Sequence, residues 1–129
     1  MTEKVTVEIV TEVDIVTARK LGRKEAKIIG FNKVDQARIT TAIGELAKNI
    51  FQYAPVGKII IERIVKDDKK GVSITSIDHG PGILDVQKIL EDGDSYGGGL
   101  SSVKRLVDTM HILSEVGKGT TIKVEKWLR

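Results

Sequence analysis

Apolar and polar residues alternate at the start of the chain, where Val5, Val7 and Ile9 are interleaved with Lys4, Thr6 and Glu8. A period of two predicts a half-buried strand. From Glu12 the period lengthens. Thr11 followed by Asp14 resembles a helix N-cap with an acidic third position. A helix is predicted from about Glu12 to Ile29, stopped by Gly30. Its inner stripe is expected at Ile15, Ala18 and Leu21, with Lys and Arg outside. A second helix is predicted from Lys33 to Tyr53, because Ile39, Ile43, Leu46, Ala47 and Ile50 recur at helical spacing. Pro55 and Gly57 are expected to end it.

Lys58 to Val65 is rich in Ile and other β-branched residues and predicts a strand. Lys66 to Gly71 reads as a charged turn, and Val72 to Asp78 as the returning strand of a hairpin. Asp78 to Gly82 is a loop, Asp85 to Leu90 a short helix, and Gly93 to Gly99 a glycine-rich stretch. Leu100, Val103, Leu106 and Val107 give one apolar helical face, on a helix beginning near Ser101 or Ser102. Met110 to Val116 and Thr120 to Trp127 read as two strands around a Gly117–Gly119 turn. The order β-α-α-β-β-α-α-β-β does not alternate as a parallel α/β fold does. It predicts a mainly antiparallel sheet with helices packed on one face.

Composition narrows the picture. With 129 residues and no repeat or linker, the chain is expected to be one domain spanning 1–129. The 21 Lys and Arg against 18 Asp and Glu leave a formal charge of +3, too little to indicate a nucleic-acid or membrane binder. The absence of cysteine excludes disulfides, thiolate zinc sites and cysteine nucleophiles. Charge in MTEKVTVEIV argues against a signal peptide. No segment approaches the roughly 18 consecutive apolar residues of a membrane span. A cytoplasmic protein is the expectation.

Four constellations have chemical potential. Glu45 and Asn49 lie four residues apart on the second helix, on the same side and off the Ile43-Leu46-Ile50 stripe. A carboxylate beside an amide oxygen suits a hydrated Mg²⁺ and a polarised nucleophile; a solvated face is the plainer reading. Asp78-x-Gly80-x-Gly82 sits where a strand ends, and its carboxylate is placed to accept a hydrogen bond from an amine. A tight turn is its plainer reading. Gly97-Gly98-Gly99-Leu100 precedes a helix, where exposed N–H groups suit an anion, or is simply a flexible link. Gly117-Lys118-Gly119-Thr120 lacks Walker spacing and alone reads as a hairpin turn. His79 and His111 have no metal-ligand spacing and read as bystanders.

Glu45-x-x-x-Asn49, Asp78-x-Gly80-x-Gly82, a glycine stretch and Gly117-x-Gly119-Thr120, in that order, resemble the successive boxes of the GHKL, or Bergerat-fold, ATP-binding family. The resemblance spans nearly the whole chain. Its length is similar to that of the small bacterial serine kinases that regulate sigma factors. The run from Val34 to Ile50 resembles more narrowly the switch kinases of the stressosome, as do Thr11–Val16, Val103–Leu106 and Lys126–Arg129.

The resemblance implies an α+β two-layer sandwich with a mainly antiparallel mixed sheet, and a role for each position. Asp78 would hold the adenine amino group with help from Thr120, and Gly80 and Gly82 would let the base and ribose approach the backbone. Asn49 would bind Mg²⁺, and Gly97, Gly98, Gly99 and Leu100 would close over the phosphates. Glu45 would be the catalytic base on a serine or threonine hydroxyl. The implied activity is ATP-dependent protein serine/threonine phosphorylation. Its implied substrate is a STAS-domain stressosome protein, and its implied output a downstream phosphatase or another enzyme activated by binding. The stretch Ser95 to Leu100 is shorter than the family's usual lid. That departure keeps open an alternative, a non-catalytic nucleotide-binding adaptor that sequesters or activates partners.

Overall fold

The computed structural model describes residues 4–54, 56–81 and 99–129. Strand β1 (Lys4–Ile9) leads into helices α1 (Glu12–Ile29) and α2 (Lys33–Tyr53). Strands β2 (Gly57–Lys66) and β3 (Lys69–Asp78), helix α3 (Leu100–Leu106) and strands β4 (Thr109–Glu115) and β5 (Gly119–Trp127) follow. The expected short helix at 85–90 lies outside the described residues.

Local chemistry sets the helix ends. The Asp14 carboxylate accepts from the Thr11 and Val10 N–H groups at 2.8 and 2.9 Å, closing the start of α1. Those backbone bonds, Thr11's first, hold the Asp14 carboxyl below the usual carboxylate range. Gly30 ends α1 at φ 115°, a left-handed conformation that favours glycine. Asn32 caps α2 by accepting from the Asp35 N–H at 2.8 Å.

All described strand pairs are antiparallel, in the order β1-β2-β3-β5-β4. The expected mixed character is therefore not found among the described strands. The β2–β3 turn is also tighter than expected. Pairing continues to Lys66↔Lys69, leaving only Asp67 and Asp68 between the strands. Both have positive φ, 51° and 65°, as the two-residue turns that match strand twist require. Aspartate tolerates that region better than most residues.

Val7, Ile9, Ile59, Ile61, Val72, Ile74, Ile122 and Val124 share one buried sheet face. Against it, α2 buries Ile39, Ile43, Leu46, Ala47 and Ile50, as its periodicity predicts. On α1 the inner stripe is shifted: Ala18, Gly22, Glu25 and Ala26 are buried, while Ile15 and Leu21 are only partly covered. The reason is the close crossing of the two helices. A Cβ on Gly22 would stand 2.1 Å from Ile43 Cδ1, so the small residues face α2. Buried Glu25 is compensated by Arg63 of β2, at 2.5 Å. No described helix is long and apolar enough to cross a membrane.

Candidate active site

Asp78 is the last residue of β3, is 5% exposed, and is in register with Gly57 of β2 and Thr120 of β5. Its surroundings are crowded. A Cβ on Gly57 would lie 3.1 Å from Asp78 Cβ and 2.7 Å from Ile50 Cγ2, so Asp78 and Ile50 of α2 both close on the bare backbone of Gly57. Gly80 N–H donates to Asp78 Oδ1 at 2.9 Å, folding the chain back at the strand end. The second carboxylate oxygen has no partner among the described residues. Across the ladder, buried Thr120 has its hydroxyl 2.9 Å from Ser114 Oγ of β4. Gly119 has φ 116°, and a Cβ there would stand 2.1 Å from the Asp78 carbonyl oxygen. Only glycine allows the two backbones to approach this closely. A cavity of about 410 Å³ opens over Asp78, His79, Ser114, Lys118 and Thr120.

Glu45 and Asn49 lie on the neighbouring part of α2, and the structure corrects the expectation that they stand clear of the core. Asn49 is 5% exposed, and Glu45 is half-buried. Periodicity finds the face turned to the sheet, but α2 carries a second covered face, under α3. Leu100 and Val103 of α3 are fully buried. Gly99, just before them, is packed onto Glu45: a Cβ there would stand 2.0 Å from Oε2 and 2.8 Å from Cδ. Around this contact lies a cleft of about 380 Å³, lined by Glu45, Lys48, Asn49, Gln52, Tyr53, Gly99 and Ser102. Among the described residues the Glu45 carboxylate has no ion-pair or hydrogen-bond partner.

The two regions meet at the C-terminal end of α2. A Cβ on Gly80 would lie 2.8 Å from the Tyr53 carbonyl oxygen and 3.0 Å from Ala54 Cβ. The Asp78–Gly80 turn therefore rests on the end of the helix whose preceding turns bear Asn49 and Glu45. Of the expected site residues, the structure gathers Glu45, Asn49, Asp78, Gly80, Gly99 and Thr120 in this region. Leu100 is adjacent, but its side chain is in the core. Gly82, Gly97 and Gly98 lie outside the described residues.

Sequence reading missed Ser114, Lys48, Gln52, Tyr53 and Ser102. A signal for some existed, since 45, 48, 49 and 52 follow helical i, i+3, i+4, i+7 spacing. Ser114 had none, because its link to Thr120 crosses between strands. His79 and His111 are both exposed.

The donor set suits an adenine nucleotide with Mg²⁺. An amine donor would satisfy the open oxygen of the buried Asp78 carboxylate. Among the described residues no group of three or more acidic or imidazole side chains could hold a metal alone. Mg²⁺ needs none, as it commonly takes one or two protein oxygens, waters and substrate phosphates.

The profile of the histidine kinase-, DNA gyrase B- and HSP90-like ATPases matches residues 34–129. The chain belongs to this ATPase family. It is also 53% identical, over the full length of both chains, to the serine/threonine-protein kinase RsbT of Bacillus subtilis. An anti-sigma F factor of Caldanaerobacter subterraneus is 29% identical over 71% of this chain and 70% of its own length. The histidine kinase domain of a blue-light activated histidine kinase from Erythrobacter litoralis superposes with a TM-score of 0.57 at 17% identity. That superposition covers 87% of this chain, which spans 59% of the neighbour's chain, and it supports the fold alone. Within the ATPase family this chain is an RsbT-like serine/threonine kinase, and it uses ATP.

Proposed function

We propose that the chain, as one domain, transfers the γ-phosphoryl group of ATP to a serine or threonine hydroxyl on a STAS-domain stressosome protein. It then activates a downstream phosphatase or other output enzyme by direct contact. Cytoplasmic location belongs to the same reading. The observation that carries it is the convergence at one end of α2. Asp78 and Thr120 offer polar groups at the strand ends, and Glu45 offers a carboxylate, unpaired among the described residues, in the adjoining cleft. A module that only binds nucleotide has no use for that carboxylate.

In this reading Asp78 accepts from the adenine amino group through the oxygen that Gly80 does not occupy. Thr120, oriented by Ser114, supports the same edge of the base. Gly80 and Gly82 allow the base and ribose close to the backbone, and Gly97 to Leu100 cover the phosphate tail. Asn49 would hold Mg²⁺, which when bound would neutralise phosphate charge. Glu45 orients the acceptor hydroxyl and takes its proton as the new P–O bond forms and ADP leaves. Positioning and charge neutralisation supply most of the acceleration in such transfers.

The test is transfer of labelled phosphate from ATP to a STAS-domain acceptor, by wild type and by Glu45→Ala. The expected result is a fall of at least about 100-fold in transfer, as for loss of a positioned general base. Undiminished transfer by the variant would remove Glu45 from the chemistry. ATP-indifferent binding of the acceptor by wild type, with no transfer at all, would favour the adaptor reading.

A further inference from the structure

We propose that the exposed face of α1, with the groove it forms against α2, docks an acidic surface of the protein substrate and delivers the acceptor hydroxyl to Glu45. The proposal rests on the kinase reading and names the partner surface of that same site.

Three observations carry it. The first is charge. Arg19, Lys20, Arg23, Lys24 and Lys27 are all exposed, and none has an ion-pair partner among the described residues. At about 100° per residue, the five fall within an arc of about 140° on α1. Of the three acids on the helix, Glu25 is buried against Arg63, Asp14 closes the cap, and Glu12 lines the groove about two turns before Arg19. A chain of formal charge +3 thus concentrates on one helix face five cations that are unpaired among the described residues.

The second observation is continuity with the site. A groove of about 460 Å³ runs between α1 and α2, and its lining includes Arg19, Gly44, Glu45, Lys48 and Gln52. Glu45, Lys48 and Gln52 also line the smaller cleft that holds Asn49 and Gly99. The two spaces share one wall. Substrate seated in the groove therefore reaches Glu45 without crossing the nucleotide region.

The third is exposed apolar content beside the groove, from Val13 and Val16 of α1 and from Phe51 of α2. Val13, Val16 and Phe51 are 69%, 40% and 41% exposed. Apolar residues bordered by unpaired charge are the anatomy of a protein interface. A polyanion such as DNA has no use for them. The 18 residues of α1 give a face about 27 Å long, enough for one flank of a protein partner.

Lys20→Glu, Arg23→Glu and Lys24→Glu combined invert the centre of the face and keep Lys27, which complements the end of the helix. A glutamine version of the same triple variant removes the charge without reversing it. Against a STAS-domain acceptor, the KM for the acceptor is expected to rise about ten-fold or more in the Glu variant, and less in the Gln variant. Kcat and the Mg·ATP dissociation constant are expected to stay within about two-fold, since none of the three residues lines the nucleotide region. Added salt is expected to raise the wild-type KM and leave the Glu variant's unchanged.

An unchanged acceptor KM in both variants overturns the proposal. So does a loss confined to binding of a short DNA duplex or of phosphatidylserine vesicles. If wild type binds ATP but transfers nothing, the kinase reading fails. Calorimetric titration of the acceptor then still decides the docking face, by weaker binding to the variants or by none.

Discussion

Asp78 and Glu45 are both carboxylates beside α2, yet they are held in place by different means. Asp78 is fixed by the sheet. Register places it between Gly57 and Thr120, Gly80 satisfies one oxygen, and the Gly119 backbone closes against its carbonyl. Glu45 is fixed by packing between helices, through the bare backbone of Gly99 and the buried side chains of α3 that follow it. A ladder of backbone bonds resists small substitutions. A contact between one side chain and one glycine does not. The base-binding end of the site should therefore respond to changed polar atoms, and the transfer end to changed volume.

Gly99→Ala sharpens this contrast most. Gly99 has φ −90°, which any residue adopts, so the backbone carries no strain from the change. The new methyl group would fall 2.0 Å from Glu45 Oε2, and the flexible carboxylate must move away. Transfer to a protein acceptor is expected to drop about 100-fold, the scale of a displacement of about 1 Å at a reacting centre. Gly99 is also one of the residues assigned to the phosphates, so ATP affinity should fall too, but by about ten-fold or less, because Asp78 still holds the base. Equal loss of both would break the distinction between the two ends, and single-turnover kinetics beside calorimetry would reveal it.

Ser114→Ala probes the other end. It removes the hydroxyl 2.9 Å from Thr120 Oγ1 without altering the ladder. One neutral hydrogen bond contributes on the order of 1 kcal/mol, so Mg·ATP should bind about five-fold more weakly. Transfer at saturating ATP should stay near wild type. A lower saturated rate with unchanged affinity would place Ser114 on the transfer side instead.

The smallest expected effect concerns neither end. Asp14 and Asp108 both have carboxyls held below the ordinary value of 3.8. For Asp14 the causes are the Thr11 and Val10 N–H bonds. For Asp108, burial pushes upward but is outweighed by the Trp127 N–H bond and by Arg129. A folded-state pKa below the unfolded one means stability fully present above about pH 4 to 5 and lost as pH falls through the depressed values. Asp14→Asn should shorten that acid limb in melts between pH 3 and 6 and leave ATP binding at neutral pH unchanged. An acid limb identical to wild type would show that the α1 cap carries none of it.

Much of this was legible in the sequence. The limits of α1 and α2 follow from Thr11, Asp14, Gly30 and the Ile39-to-Ile50 periodicity, which are local signals. The order of the site motifs was legible for the same reason. What escaped was non-local. Asn49 is buried and shares a cleft with Gly99 and Ser102, about fifty residues further along the chain, so helical spacing alone left a solvated face as its plainer reading. The Ser114–Thr120 pair depends on cross-strand register. The Asp67–Asp68 turn looked longer because six polar or glycine residues in a row read as a loop, whereas four of them pair. The α1 basic face was visible as composition, but its continuity with Glu45 required the α1–α2 crossing.

The most direct test of the account is calorimetric titration of Mg·ATP into wild type and Asp78→Asn. Asparagine retains an oxygen for the Gly80 N–H, so the turn survives while the open carboxylate oxygen is replaced by an amide. The account predicts saturable binding by wild type and weakening of at least about 100-fold in the variant, as expected when a buried charged acceptor is lost. Equal affinities in the two proteins would contradict the assignment of the strand-end pocket to the nucleotide.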